Sequence, residues 1–193
     1  MSDVSIFVRD SDVHDYSIHF TGTIDQLSMS KLIETLYAAE RKILAAKNTF
    51  AEYFRIKKRQ PIPAIKLYIS SYGGYIYPAL GAVDIIQKLK VPVHTIGVGY
   101  VASAATLLHL AGTRRMMTKN TFMLIHQLRS SIWGTFHQIQ DEYNNLAQLH
   151  EHIVAMYSVK TKISKDELKE ILKSDVFWNA ATCQEKWLVD EII

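Results

Sequence analysis

Residues 93–98, Val-His-Thr-Ile-Gly-Val, are nearly all apolar and directly follow Pro92. A strand of that kind suits burial on both faces, a condition met when helices cover both sides of a mainly parallel sheet. The neighbouring segments agree. Residues 65–70 read as a strand leading into the turn Ser71-Tyr72-Gly73-Gly74. Residues 79–90 then carry Leu80, Val83, Ile86 and Leu89 at helical spacing. Gly99 closes the apolar strand, a small-residue helix starts near Ala102 and runs towards Leu110, and a further buried strand at 122–125 leads into His126. Upstream, 16–20 is a short alternating strand closed by Thr21-Gly22, and 26–47 is helix-forming with Leu27, Leu32, Leu36 and Ile43 as its apolar stripe. Strands alternating with helices predict an α/β fold of βαβ units around a mostly parallel sheet.

The C-terminal part adds a long helix, about 136–157, in which Phe136, Ile139, Tyr143, Leu146, Leu149, Ile153 and Met156 recur in steps of three and four. Such a stripe exceeds what a small domain's own core covers, and self-association is one use for it. Packing on the sheet of the same chain is the other. Ser164 and Glu167 form a capping box for a short helix ending near Leu172, and Asn179 is placed to cap the last one. Residues 48–63 interrupt the pattern with Arg55, Lys57, Lys58 and Arg59, read as a solvated loop or helix end.

Composition narrows the function classes. The 193 residues fit one domain spanning 1–193. Twenty-two Lys and Arg against 19 Asp and Glu leave +3, too small a surplus to predict strong attraction to nucleic acid or a membrane surface. The one cysteine, Cys183, excludes an internal disulfide and a thiolate metal cluster and fits a reducing, cytoplasmic setting. No apolar run approaches the roughly 20 residues of a membrane helix. The start lacks a basic, then apolar, signal pattern.

Three features carry chemistry. Ser103 follows a buried strand and a glycine, among the small residues Ala102, Ala104 and Ala105, at the start of a helix. Unpaired N–H groups there suit a nucleophilic oxygen, although a helix cap or packing residue reads the same way. The spacing is not Gly-x-Ser-x-Gly, because Val101 and Ala105 stand at the glycine positions. Gly73-Gly74 at a strand's carboxyl end can expose backbone N–H donors, or simply make a turn. No phosphate-loop lysine follows, which leaves a nucleotide site without support.

Of eight histidines, His14, His19, His137, His150 and His152 read as surface or interface residues, and His94 as a core residue inside its strand. His109 lies six residues beyond Ser103, off its helical face. His126 alone ends a strand on the side where parallel sheets gather their sites. Asp175, flanked by Val176 and Phe177, is the carboxylate available to orient it, with a solvated turn residue as the plainer alternative.

The order of these pieces resembles the Clp protease proteolytic subunit family. The resemblance runs over about 16–192 and rests on Phe20-Thr21-Gly22, Leu67-Tyr68-Ile69-Ser70-Ser71 with Gly73-Gly74, Ala102-Ser103, Ile125-His126-Gln127, Asp175 two before Phe177, and Leu188-Val189-Asp190-Glu191. It implies a crotonase-like spiral of βαβ units with a projecting handle helix, the handle region lying at about 127–157. By matched position it implies Ser103 as nucleophile, His126 as base and Asp175 as third member. It also implies oxyanion donors at the Gly74 and Ala104 N–H groups, with Gly73 against the substrate.

No metal or organic cofactor is called for. The implied partners are further copies in a heptameric ring, single or stacked as a double ring, an AAA+ ATPase unfoldase, and peptide or unfolded-protein substrates. Tyr72 stands where the family has proline, Ala104 where methionine is common and Leu128 where proline follows His-Gln, changes that reshape the cleft without removing a catalytic atom. Two other readings stand beside endopeptidase: a non-hydrolytic structural subunit of a mixed ring, and an acyl-CoA enzyme of the crotonase fold.

Overall fold

The computed structural model describes residues 4–10, 16–53 and 62–193. Within these, eight strands form one sheet: β1 (Ser5–Asp10), β2 (Tyr16–Thr21), β3 (Ile65–Ser71), β4 (Val93–Ala102), β5 (Arg114–Met117), β6 (Phe122–Leu124), β7 (Phe177–Asn179) and β8 (Glu191–Ile192). Their order is β1-β2-β3-β4-β5-β8, with β6 joined to β4 and β7 joined to β6. Five of the pairings are parallel; β1–β2 and β6–β7 are antiparallel. The helices are α1 (Gln26–Tyr53), α2 (Ile76–Lys88), α3 (Ala104–Leu110), α4 (Phe136–Lys160), α5 (Lys165–Ile171) and α6 (Ala180–Glu185). The α/β expectation is met.

Burial follows the sequence periods. In β3, Ile65, Leu67 and Ile69 alternate inward, as a two-residue repeat requires. They meet Leu32, Leu36, Ala39 and Ile43 of α1 and Ala82, Val83 and Ile86 of α2. Leu27, expected on the α1 stripe, is instead 80% exposed. Five residues separate it from Leu32, a rotation of about 140° around the helix, so Met29 takes the buried position. Helix α1 also continues to Tyr53, past the expected end at 47. The basic residues Arg55, Lys57, Lys58 and Arg59, and His14, lie outside the described residues.

Strand β4 departs most from expectation. It does not stop at Gly99 but runs on to Ala102, and α3 starts only at Ala104. Between the pairs Ile69↔Gly97 and Ser71↔Val101, β3 advances two residues while β4 advances four. This bulge includes Gly99 at φ 71°, a value L side chains adopt at a cost. The bulge lets one strand serve two neighbours: His94–Gly97 pair with β5, and Tyr100–Ala102 pair with β6. A glycine read as a terminator is a pivot.

The expected handle helix is present, and it is only half packed. Leu149, Ile153, Val154 and Tyr157 are buried, with α4 against α3 and α5. Residues 131–140 are exposed throughout, Trp133 fully, and Phe136 and Tyr143 keep most of their surface in water. Thr135 and Gln138 form a capping box at the α4 start. Both expected caps form, Ser164 accepting from the Glu167 N–H and Asn179 from the Thr182 N–H, but the Glu167 carboxylate pairs with Lys186 and leaves the expected capping box half made. No described helix is long and apolar enough to cross a membrane.

The core histidine is His109, not His94. His94 is half-buried on the sheet face near Arg114 and Lys66. His109 lies in α3, whose seven residues are all buried, and among the described residues neither ring nitrogen has a hydrogen-bond partner. Burial first, then the Arg115 cation, pulls its pKa from 6.5 to about 3, with Asp190 opposing. The unfolded chain therefore binds the proton that the folded chain refuses. Stability is full above pH 6.5 and declines as pH falls from 6.5 towards about 3. His109→Leu, which carries no proton and leaves no unpaired nitrogen, is expected to flatten that decline in urea midpoints measured between pH 7 and pH 4. Equal slopes for the two proteins would contradict this account.

Candidate active site

The sequence brings four distant segments to the end of β4. Val101 pairs with Met123 and Ala102 with Leu124, so Ser103 emerges beside the strand that ends two residues before His126. The antiparallel pair Leu124↔Phe177, extended by two residues, sets His126 opposite Asp175. On the other flank Ser71 pairs with Val101, and the same extension sets Gly73 beside Ser103. Sheet register alone therefore gathers the residues that sequence order singles out.

Ser103 has φ 57° and ψ −130°, a left-handed backbone that costs a non-glycine residue about 1–3 kcal/mol. Although Gly-x-Ser-x-Gly spacing is absent, the turn has the strand-to-helix form and positive φ of a nucleophile elbow. Ser103 occupies the cap position of α3, but its hydroxyl makes no capping hydrogen bond. The hydroxyl is therefore not used in capping. Its N–H donates to the Leu124 carbonyl at 2.9 Å, and its carbonyl accepts from the N–H and hydroxyl of Thr106 at 2.9 and 2.6 Å.

Gly73 and Gly74 are required by close approach. A Cβ on Gly73 would lie 2.7 Å from Ser103 Cβ and 2.9 Å from Ala104 N, and one on Gly74 would lie 2.1 Å from the Ile24 carbonyl oxygen. Among the described residues no backbone carbonyl takes up the N–H of Gly74 or of Ala104. Both residues line the same cleft as Ser103 and His126.

His126 is largely buried, and its Nδ1 lies 3.2 Å from Asp175 Oδ1. The approach is close but off the N–H axis, so it is a polar contact and not an aligned hydrogen bond. The other Asp175 oxygen is held by the Arg129 guanidinium. Arg129 is a site residue that sequence pattern alone does not single out, its one signal being its place three residues after His126. Asp175 is half exposed, yet its contacts with His126 and Arg129 show that it is no free turn residue.

The cleft holds about 650 Å³. Leu107, Leu146, Leu149 and Ile153 supply apolar walls, while Tyr72, Tyr75 and Tyr77 stand exposed at its edge. Tyr72 stacks on Tyr100, with ring centroids 3.7 Å apart. A hydroxyl, an imidazole and a carboxylate beside free N–H groups and an apolar slot can support acyl transfer.

The family profile described as Clp protease matches residues 25–193. The chain belongs to the Clp protease family. Among similar curated proteins, the ATP-dependent Clp protease proteolytic subunit of Deinococcus radiodurans is 26% identical over 150 residues, covering 77% of this chain and 74% of that one. Proteolytic subunit 2 of Treponema pallidum is 27% identical over 174 residues, covering 88% and 87%. A solved ClpP1 mutant from Listeria monocytogenes superposes with a TM-score of 0.76 at 22% identity, covering 94% of this chain and 92% of that chain. The fold is therefore that of ClpP, with the sheet and projecting helix described above.

Close packing at Gly73 has a measurable consequence. Gly73→Ala, at φ 94° and in contact with Ser103, is expected to lower the unfolding free energy by about 2–4 kcal/mol. Gly81→Ala on the exposed side of α2, where nothing lies within 4 Å, is expected to raise it by about 0.5–1 kcal/mol. Denaturant midpoints for the two variants, measured side by side, check the pair.

Proposed function

We propose that the chain is a serine endopeptidase that cleaves peptides or unfolded polypeptides inside a chamber built from its own copies. The observation that carries this reading is the strained Ser103 turn sharing one cleft with His126, whose far nitrogen faces Asp175. In this reading Ser103 Oγ attacks the scissile carbonyl while His126 takes its proton. The Gly74 and Ala104 N–H groups receive the oxyanion, and Gly73 lets the substrate backbone approach. His126 then returns the proton to the leaving amine, with Asp175 stabilising the imidazolium. Water repeats the sequence to release the acyl group.

Family membership supports a serine peptidase in general terms. The exposed face of α4, with Phe136, Ile139 and Tyr143 uncovered and Trp133 beside it, supports self-association. On this reading residues 1–193 act as one peptidase domain in a heptameric, stacked ring in the cytoplasm, fed by an AAA+ ATPase.

The second reading, a non-hydrolytic subunit of a mixed ring, draws on one observation: the His126–Asp175 contact is off-axis and Asp175 is shared with Arg129. Activity separates the two. A fluorophosphonate probe is expected to label the assembled wild type and not Ser103→Ala, with peptide cleavage following the label. Asp175→Asn is expected to lower kcat by roughly 10²–10⁴-fold, since the wrong tautomer disables the base. A purified ring, its size confirmed by sedimentation, that neither labels nor cleaves would instead favour the structural subunit.

A further inference from the structure

Ser103 holds a backbone conformation that a serine leaves unless its surroundings oppose relaxation. Its N–H is tied to β6 through Leu124, and Gly73 closes one side. The remaining handle is its carbonyl oxygen, which accepts two hydrogen bonds from one residue, the Thr106 N–H at 2.9 Å and the Thr106 hydroxyl at 2.6 Å. That hydroxyl has a single hydrogen, committed to the Ser103 oxygen. Its short contact with the Tyr157 hydroxyl can therefore run in one sense only: the Tyr157 O–H donates and Thr106 Oγ1 accepts. Thr106 is fully buried and Tyr157 is 3% exposed, so water offers neither a substitute. Burial also raises the Tyr157 pKa well above the ordinary phenol value, which keeps the phenol a donor across the working pH range.

Tyr157 sits in the last turn of α4, one face-repeat beyond Leu149 and Ile153, and its ring helps line the cleft. The other end of the same helix projects from the fold with residues 131–140 exposed. We propose that Thr106 and Tyr157 are positioning residues for the nucleophile: two buried hydrogen bonds in series, Tyr157 O–H to Thr106 Oγ1 and Thr106 O–H to the Ser103 carbonyl, anchor the strained serine turn to the base of the projecting helix. A shift of α4 along its axis or away from α3 is then transmitted to Ser103 through a hydrogen-bonded path, in addition to the general packing. Neither residue touches the substrate's reacting atoms. The inference rests on Ser103 being the nucleophile.

The test measures the second-order rate of fluorophosphonate labelling, kcat and KM for a short peptide, and thermal midpoints, all on the assembled full chain. Tyr157→Phe keeps the ring and the cleft wall and removes one hydroxyl. It is expected to slow labelling and lower kcat about tenfold with KM within twofold of wild type. Thr106→Val removes both bonds and is expected to lose at least as much, while Thr106→Ser, which keeps the hydroxyl, is expected to stay within about threefold of wild type. The double variant Thr106→Val with Tyr157→Phe should be no slower than Thr106→Val alone, because the two residues act through one path.

Wild-type labelling and kcat in Tyr157→Phe, even with a lowered melting temperature, would overturn the proposal, as would multiplicative losses in the double variant. Should Thr106→Val fail to fold, the Tyr157→Phe and Thr106→Ser pair still decides. A wild type that takes no label, or takes it equally after Ser103→Ala, would instead refute the peptidase reading and this inference with it.

Discussion

Between Gly97 and Val101 strand β4 advances four residues against two in β3, and the place of every reactive group follows from that mismatch. Before the bulge β4 pairs with β5 in the main sheet; after it, β4 pairs with β6. The change of partner carries Ser103 to the end of β6, where His126 follows, and β7 brings Asp175 back alongside. A strand that stopped at Gly99 would leave Ser103 with no neighbour on that side. The positive φ at Gly99 is the local condition for the whole arrangement.

The strain at Ser103 is affordable because the helix it opens is entirely buried. Leu107, Leu108 and Leu110 are each at most 3% exposed, and burying a leucine contributes roughly 1.5–3 kcal/mol. Three of them outweigh the about 1–3 kcal/mol of a left-handed serine. Relaxing the turn would shift α3 against α2 and β4, which close packing resists. The same burial leaves both His109 nitrogens without a partner among the described residues and holds the ring neutral, a cost accepted inside a helix whose other residues, Thr106 apart, are apolar.

Charge at the site is arranged differently from packing. The Arg129–Asp175 pair is exposed on both sides, 72% and 48%, and pairs of that kind contribute only about 0–1 kcal/mol to stability. Its consequence is local. A guanidinium on one carboxylate oxygen leaves the other facing His126 Nδ1, and sets the orientation of a carboxylate whose loop has no regular structure. Arg129 comes from the segment just after His126, so one stretch of chain supplies both groups that face Asp175.

Period and end signals were legible without coordinates. Apolar spacing placed β3, α2 and α4; Ser164 and Asn179 announced their caps; and the order of Ser103, His126 and Asp175 pointed to the family. Short strands were not legible. β7 has three residues and β8 two, and β5 reads Arg-Arg-Met-Met, so each exists because a neighbouring strand offers hydrogen bonds and not because of its own pattern. Leu27 failed for a related reason: a stripe of leucines does not say which of them faces the sheet. The amino-acid order by itself determined which residue types meet strand ends and helix starts, since those preferences act over a few residues. Only the tertiary structure decided that β4 changes partner, that Arg129 shares Asp175 and that Tyr157 reaches Thr106, because each depends on segments tens of residues apart being held at hydrogen-bonding distance.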